Sequence, residues 1–193
     1  MRSKILLITF ILLFGCKSEE KEELNLLDFV PQNTIATFQI NDFKMVENAI
    51  EKVPFLRYIL QLKTNLYGDI SSILPDKISS NILLNITQEG KNNNAVTFIF
   101  KKNINDSLQN FIPETFIYNS VPISIEKVGS KKVYSTIINN IEIRSSSQLV
   151  VENIIRNVEN KKKGIQDEQF YKLANVRNKN SPLTIYFHKE IED

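Results

Sequence analysis

The sequence predicts an α+β fold: a mainly antiparallel sheet with amphipathic helices packed on one face, in a single domain. Alternation of apolar and polar residues, typical of strands, dominates residues 82–144. Apolar residues at helical spacing occur before this region, within residues 43–66, and after it, within residues 148–175. Consecutive strands joined by short polar turns pair antiparallel by default. Because no shift in composition and no repeat interrupts residues 26–193, we expect these residues to form one domain.

The first predicted elements are a strand and two helices. Residues 34–40 alternate as a strand, and Asn41 with Asp42 then provides an N-cap for a helix. Pro54 ends this helix and fits the first position of the next one, which reaches residue 66. A short helical piece is expected up to residue 74.

The middle of the chain predicts strands. Residues 82–100 form a hairpin around a polar turn, and residues 107–112 a short helix. A strand over residues 121–126 contains Pro122, which favours an edge position because proline lacks a backbone donor. A second hairpin, over residues 133–144, turns at two asparagines that tolerate positive φ.

Two helices and a strand complete the prediction. Residues 145–148 fit a capping box that opens a helix with one apolar face, and residues 160–164 stop it. A shorter helix is expected over residues 167–175. In the last strand we expect one set of side chains inward (Leu183, Ile185 and Phe187) and the other outward (Thr184, Tyr186 and His188).

The residue inventory argues against an enzyme. The 193 residues include one His and one Cys, which excludes Cys/His zinc sites, intrachain disulfides and most nucleophile–His arrangements. No phosphate-cradling glycine motif, G-x-S-x-G elbow or calcium loop is present. The lone His188 falls on the predicted outward face near the C-terminus. We therefore predict no catalytic residue, no metal site and no cofactor.

The N-terminus has the pattern of an export signal. Arg2 and Lys4 precede an apolar run over residues 5–14, which is too short for a stable membrane span. Residues 13–16, Leu-Phe-Gly-Cys, resemble the lipobox of a bacterial lipoprotein signal. The resemblance implies that residues 1–15 are a signal peptide and that Cys16 carries diacylglycerol on its thiol and a fatty acyl chain, such as palmitate, on its amine. The alternatives are an ordinary secretory signal and a buried cysteine in a short helix.

Residues 16–25 read as a charged, solvated tether. Glu19 and Glu20, close behind Cys16, resemble the export signal of Bacteroidota lipoproteins, which implies an outer-membrane lipoprotein displayed at the cell surface. A plain charged linker on a periplasm-facing anchor is the alternative.

The charge balance gives no clue to a ligand. Of 24 basic residues, Arg2 and Lys4 leave with the predicted signal peptide, so 22 remain against 22 acidic residues. A neutral exported chain is not expected to bind nucleic acid.

Two stretches carry a family resemblance. One is Phe29-Val30-Pro31 followed by a strand, the Asn-Asp pair and a helix; the other runs from residue 133 through residues 141–155 to the strand after Pro182. Together they resemble uncharacterised Bacteroidota lipoproteins of the DUF3352 type. The resemblance implies a shared architecture and brings no catalytic residues.

These observations lead to a functional expectation. The chain is predicted to be a lipid-anchored, non-catalytic binding or structural module at the outer membrane, with the membrane and an envelope protein as partners. Two alternatives stay open: a surface or periplasmic hydrolase that uses carboxylates alone on glycans, and an inhibitor or immunity-like protein that caps a partner. A close carboxylate pair in a cleft would favour the hydrolase, and an exposed apolar patch would favour partner binding. The sequence leaves the oligomeric state open.

Overall fold

The computed structural model describes residues 25–52, 73, 81–91, 93–102, 114–165, 168–178 and 180–188. In chain order these contain a 3-10 helix (Leu26–Phe29), β1 (Thr34–Ile40), α1 (Phe43–Lys52), β2 (Ile82–Glu89), β3 (Asn93–Lys101), β4 (Glu114–Tyr118), β5 (Val121–Val128), β6 (Lys131–Ile138), β7 (Ile141–Ser145), α2 (Gln148–Glu159), α3 (Glu168–Val176) and β8 (Leu183–Phe187).

The described strands form one antiparallel sheet in the order β4-β5-β6-β7-β3-β2-β1-β8. Strands β2 and β3 form a hairpin with β1 beside β2, strands β4 to β7 form a meander, and pairing of β3 with β7 joins the two groups. The antiparallel sheet with accompanying helices agrees with the α+β class predicted from the sequence.

Each face of the sheet carries its own apolar cluster. The first contains Leu83, Ile99 and Ile143, together with the 3-10 helix and side chains of α2 and α3. The second contains the alternate residues Leu84 and Phe98. Because neighbouring strand residues point to opposite faces, the two clusters lie on opposite sides of the sheet. We call them the first and second face.

The helices are not confined to one face. Helices α2 and α3 pack on the first face, but Val46 of α1 belongs to the cluster on the second face. Ile73, fully buried, also packs there, and its carbonyl accepts a hydrogen bond from Arg144 Nε at 3.1 Å. The prediction of helices on a single face is therefore not confirmed, because the central strands are apolar on both sides and need cover on both.

Strand β4 corrects two predictions. It was not predicted, and it pairs with β5 through a turn at Asn119 and Ser120, both at positive φ. Strand β5 is therefore internal, so the edge position predicted from Pro122 is wrong. The pairing of β5 with β6 begins only at Ser124, so the missing N–H of Pro122 interrupts no hydrogen bond between these two strands.

Strand β8 agrees with the predicted inward set at Leu183 and Ile185, which pack against the second cluster, but departs from the prediction at its C-terminal end. Tyr186 is buried against α3, whereas Phe187 is 55% exposed. Both sides of this strand are therefore partly covered: the apolar side packs on the second face, and α3 covers the side that the sequence predicts to face outward.

The other predicted elements agree with the structure where it describes them. The apolar face of α2 is buried as predicted. Its N-cap is Ser147, whose hydroxyl accepts from the Val150 amide at 3.4 Å, so the predicted box from Ser145 to Gln148 is wrong by two residues. The predicted signal peptide, Cys16, and the helices expected over residues 54–66, up to residue 74 and over residues 107–112 lie outside the described residues.

Candidate functional site

The chain enters the sheet domain through the 3-10 helix. The Leu27 amide donates to the Asn25 side chain at 3.2 Å, and the Asn25 amide donates to the Asp28 carboxylate at 3.1 Å. These bonds close a capping box at the point where the predicted tether ends. Phe29 and Val30 behind it are fully buried. The first described residues are thus part of the core.

The loop after α2 holds this helix in place. The Gly164 amide donates to the Asp28 carbonyl at 3.3 Å, and Lys163 Nζ lies 3.7 Å from the Asp28 carboxylate. The same ammonium group lies 4.4 Å from the ring centroid of Tyr171 on α3. We call this arrangement of residues 25–31, residues 163–165 and Tyr171 the N-terminal junction.

Gly164 makes the closest approach within the junction. A Cβ atom built on it would lie 1.8 Å from the Val30 carbonyl oxygen, which is a backbone atom and cannot rotate away. Only glycine fits this contact. Residue 164 must therefore be glycine because two backbone segments pack closely there, and not because a turn requires positive φ.

The phenol of Tyr171 has a raised pKa in the junction. Its hydroxyl donates to the Ile165 carbonyl at 3.2 Å. Burial, and secondarily the negative charge of Asp28, raises the pKa of Tyr171 from 10.0 to about 12. The folded protein therefore favours the neutral phenol.

Tyr171→Phe tests this coupling at alkaline pH. A raised folded-state pKa adds stability that is complete below pH 10.0 and is lost as pH rises through about 12. We expect the free energy of unfolding of the wild type to fall more steeply across that window than that of Tyr171→Phe. Urea unfolding at pH values below and above 10.0 measures this pH dependence of the free energy of unfolding. Tyr118→Phe, which removes the hydroxyl bonded to Arg156, is the control, and equal slopes for all three proteins would contradict the assignment.

A buried polar row crosses the first face beneath the helices. Thr37, Asn85, Thr97 and Ser145 pair in register across β1, β2, β3 and β7, and each is fully buried. Thr37 Oγ1 donates to Asn85 Oδ1 at 2.8 Å, and the hydroxyls of Thr97 and Ser145 lie 2.8 Å apart. Hydrogen bonds offset the cost of burying such groups.

His188 joins this row and does not face outward as predicted. Its Nε2 lies 2.8 Å from Thr37 Oγ1, and its ring stands edge-on to Phe170 at 4.7 Å between centroids. Thr37 Oγ1 thus lies within hydrogen-bond distance of both Asn85 Oδ1 and His188 Nε2. This gives His188 a structural role at the end of β8.

One pair of carboxylates meets on the second face. Arg144 Nη2 lies 2.9 Å from Glu126, and Arg144 Nη1 lies 3.8 Å from Glu142. A glycosidase needs room for a scissile bond between two carboxyl groups. Here the guanidinium lies between them, so this pair does not have the arrangement that the alternative hydrolase requires.

Exposed apolar side chains occur on the second face of the β4–β6 half. Ile117 on β4 is 68% exposed and Ile137 on β6 is 46% exposed. Pro122 of β5 lies opposite Ile117 and is also exposed. Such apolar groups on a sheet surface favour contact with another molecule.

Cys16, the predicted lipidation site, lies outside the residues that the structure describes. Among the residues that are described, no group of three or more His, Cys, Asp or Glu is placed to hold a metal ion. No helix in those same ranges is long and apolar enough to cross a membrane. Comparison with protein-family models, curated proteins and solved structures found no match to this chain.

Proposed function

We propose that this chain is a lipid-anchored protein of the bacterial envelope, attached to the outer membrane at Cys16, and that its sheet domain is a non-catalytic binding or structural module. The observation that carries the proposal is the position of the single cysteine, directly after a signal-like apolar run. Each buried methylene contributes about 0.8 kcal/mol, so three acyl chains would make release from the membrane negligible.

The N-terminal junction supports this role. Residues 16–24, between the lipid-bearing cysteine and Asn25, span at most about 30 Å when extended. From Leu26 onward the chain packs into the core. An anchor at Cys16 would therefore hold the domain close to the membrane surface.

Surface display is the location that we propose. The acidic residues behind Cys16 resemble the Bacteroidota export signal, and the two stretches that resemble DUF3352-type lipoproteins support the same kind of protein. The exposed Ile117 and Ile137 support a binding role toward an envelope protein.

Cys16→Ser tests the anchor. Without the thiol no diacylglycerol can be attached, so we expect the variant to leave the membrane fraction and to lose labelling by a fatty-acid analogue. Ser18→Ala, two residues away in the tether, is the matched control and should remain in the membrane with full labelling. Unchanged labelling of Cys16→Ser would refute the proposal.

A further inference from the structure

Three consecutive lysines, residues 161–163, follow α2, and all three are exposed. The backbone that carries them is held at both ends. The Lys162 amide donates to the Asn157 carbonyl at 2.8 Å, which closes the end of the helix. Beyond the lysines, Gly164 packs directly against the Val30 carbonyl. We call residues 161–163 the lysine loop.

The lysine loop lies beside the point where the predicted tether enters the domain. The Asn25 amide donates to the Asp28 carboxylate at 3.1 Å, and Lys163 Nζ lies 3.7 Å from the same carboxylate. One carboxylate thus connects the loop with the first described residue. The Lys163 side chain is still 60% exposed. The loop therefore presents its positive charge to solvent on the side of the domain from which the tether leaves.

The tether alone does not orient the domain on a membrane. Residues 16–24 allow a separation of up to about 30 Å, whereas attraction between exposed charges fades beyond about 8 Å at physiological salt. A fixed orientation therefore requires contact between the domain and the membrane surface. Ammonium groups next to the tether are well placed for that contact, and each one close to an anionic surface favours it about fivefold.

We propose that the lysine loop binds the phosphate groups of anionic lipid headgroups, so that the N-terminal junction faces the membrane that holds Cys16. An ammonium group pairs with phosphate as a point charge, so a flat lipid surface is sufficient and no enclosed pocket is needed. The inference deepens the proposed function and rests on the anchor at Cys16, because three lysines alone hold a chain to a bilayer only weakly.

Lys127 and Lys132 provide a matched control. They are exposed and lie opposite each other on β5 and β6, close to the turn that joins these strands. The end of α2 lies at the other end of the sheet, because Glu159 accepts a hydrogen bond at 2.9 Å from Asn119 in the turn between β4 and β5. Successive turns of an antiparallel meander lie at opposite ends of the strands. The two pairs of lysines therefore differ in position but not in charge.

Nuclear magnetic resonance of the mature chain, residues 16–193, on lipid nanodiscs tests the orientation. The thiol of Cys16, the only cysteine, is coupled to a maleimide lipid, so the chain is anchored whatever its native modification. Discs of phosphatidylcholine alone are compared with discs of phosphatidylcholine and phosphatidylglycerol in equal parts. A gadolinium chelate on a lipid headgroup broadens the amide signals that lie close to the bilayer. We expect stronger broadening of residues 161–163 on the anionic discs, and weaker broadening of residues 127–132.

Variants assign the effect to the lysine loop. In the double variant Lys161→Gln with Lys162→Gln, the ratio of docked to undocked molecules should fall about fivefold for each lysine removed. The broadening of residues 161–163 on anionic discs should then fall to its level on neutral discs. The control, Lys127→Gln with Lys132→Gln, should keep the stronger broadening. Equal broadening on the two kinds of disc, or an equal loss in both double variants, would overturn the proposal.

The acidic tether is the competing partner for these lysines. If Glu19→Gln with Glu20→Gln moves the amide signals of residues 161–163 in the lipid-free chain, and disc composition has no effect on their broadening, the tether occupies the loop and the proposal is wrong. Failure of the anchor itself is a separate result. It appears as a loss of native acyl labelling, whereas the coupled lipid supplies the anchor in the disc experiment.

Discussion

Gly164→Ala is expected to lower the free energy of unfolding by about 3 kcal/mol, because the new methyl group would overlap the Val30 carbonyl oxygen. Relief requires the 3-10 helix to move away from the loop after α2, which breaks the bond from the Gly164 amide to Asp28. We therefore also expect faster proteolysis within residues 25–31. Urea unfolding and limited proteolysis measure the two effects.

Gly129→Asn is the matched control. Nothing lies within 4 Å of a Cβ at Gly129, and its φ of +63° is one that asparagine tolerates. The free energy of unfolding should change by less than about 0.5 kcal/mol. Equal stabilities of the two variants would contradict the backbone contact at Gly164.

Phe98→Ala is expected to cost about 3–5 kcal/mol, because it removes a large, fully buried side chain from a central strand. Phe98 pairs with Leu84 on one side and Arg144 on the other, so the cavity would open in the middle of the second face. Such a loss is a large part of the stability of a domain of this size. Chemical denaturation with an unchanged m value measures it.

Phe187→Ala is the control for Phe98→Ala. The side chain is 55% exposed on the edge strand β8, so truncation should cost less than about 1 kcal/mol. A cost at Phe187 as large as that at Phe98 would contradict the exposed position of the Phe187 side chain.

Local sequence patterns were sufficient to predict the positions of most strands. Residues 34–40 and the Asn139-Asn140 hairpin were predicted where the structure has them, because apolar alternation and positive-φ asparagines are local signals. Strand β4 was missed because its five residues, Glu-Thr-Phe-Ile-Tyr, do not alternate between apolar and polar. The burial of Tyr186 depends on α3, which packs over β8 from outside the strand, and no local pattern contains that information.

The candidate sites were less predictable than the fold. Gly164 reads in sequence as a helix stop, and only the approach of Val30 shows that it is a packing contact. By contrast, the prediction of Cys16 as a lipidation site rests on the neighbouring residues alone and needs no tertiary structure.

The most direct test of the lipid anchor is mass spectrometry of the N-terminal peptide from protein extracted from membranes. The proposal predicts a peptide that begins at Cys16, with diacylglycerol on the thiol and an acyl chain on the α-amine. A peptide that begins at Met1, or one in which Cys16 has a free thiol, would contradict it.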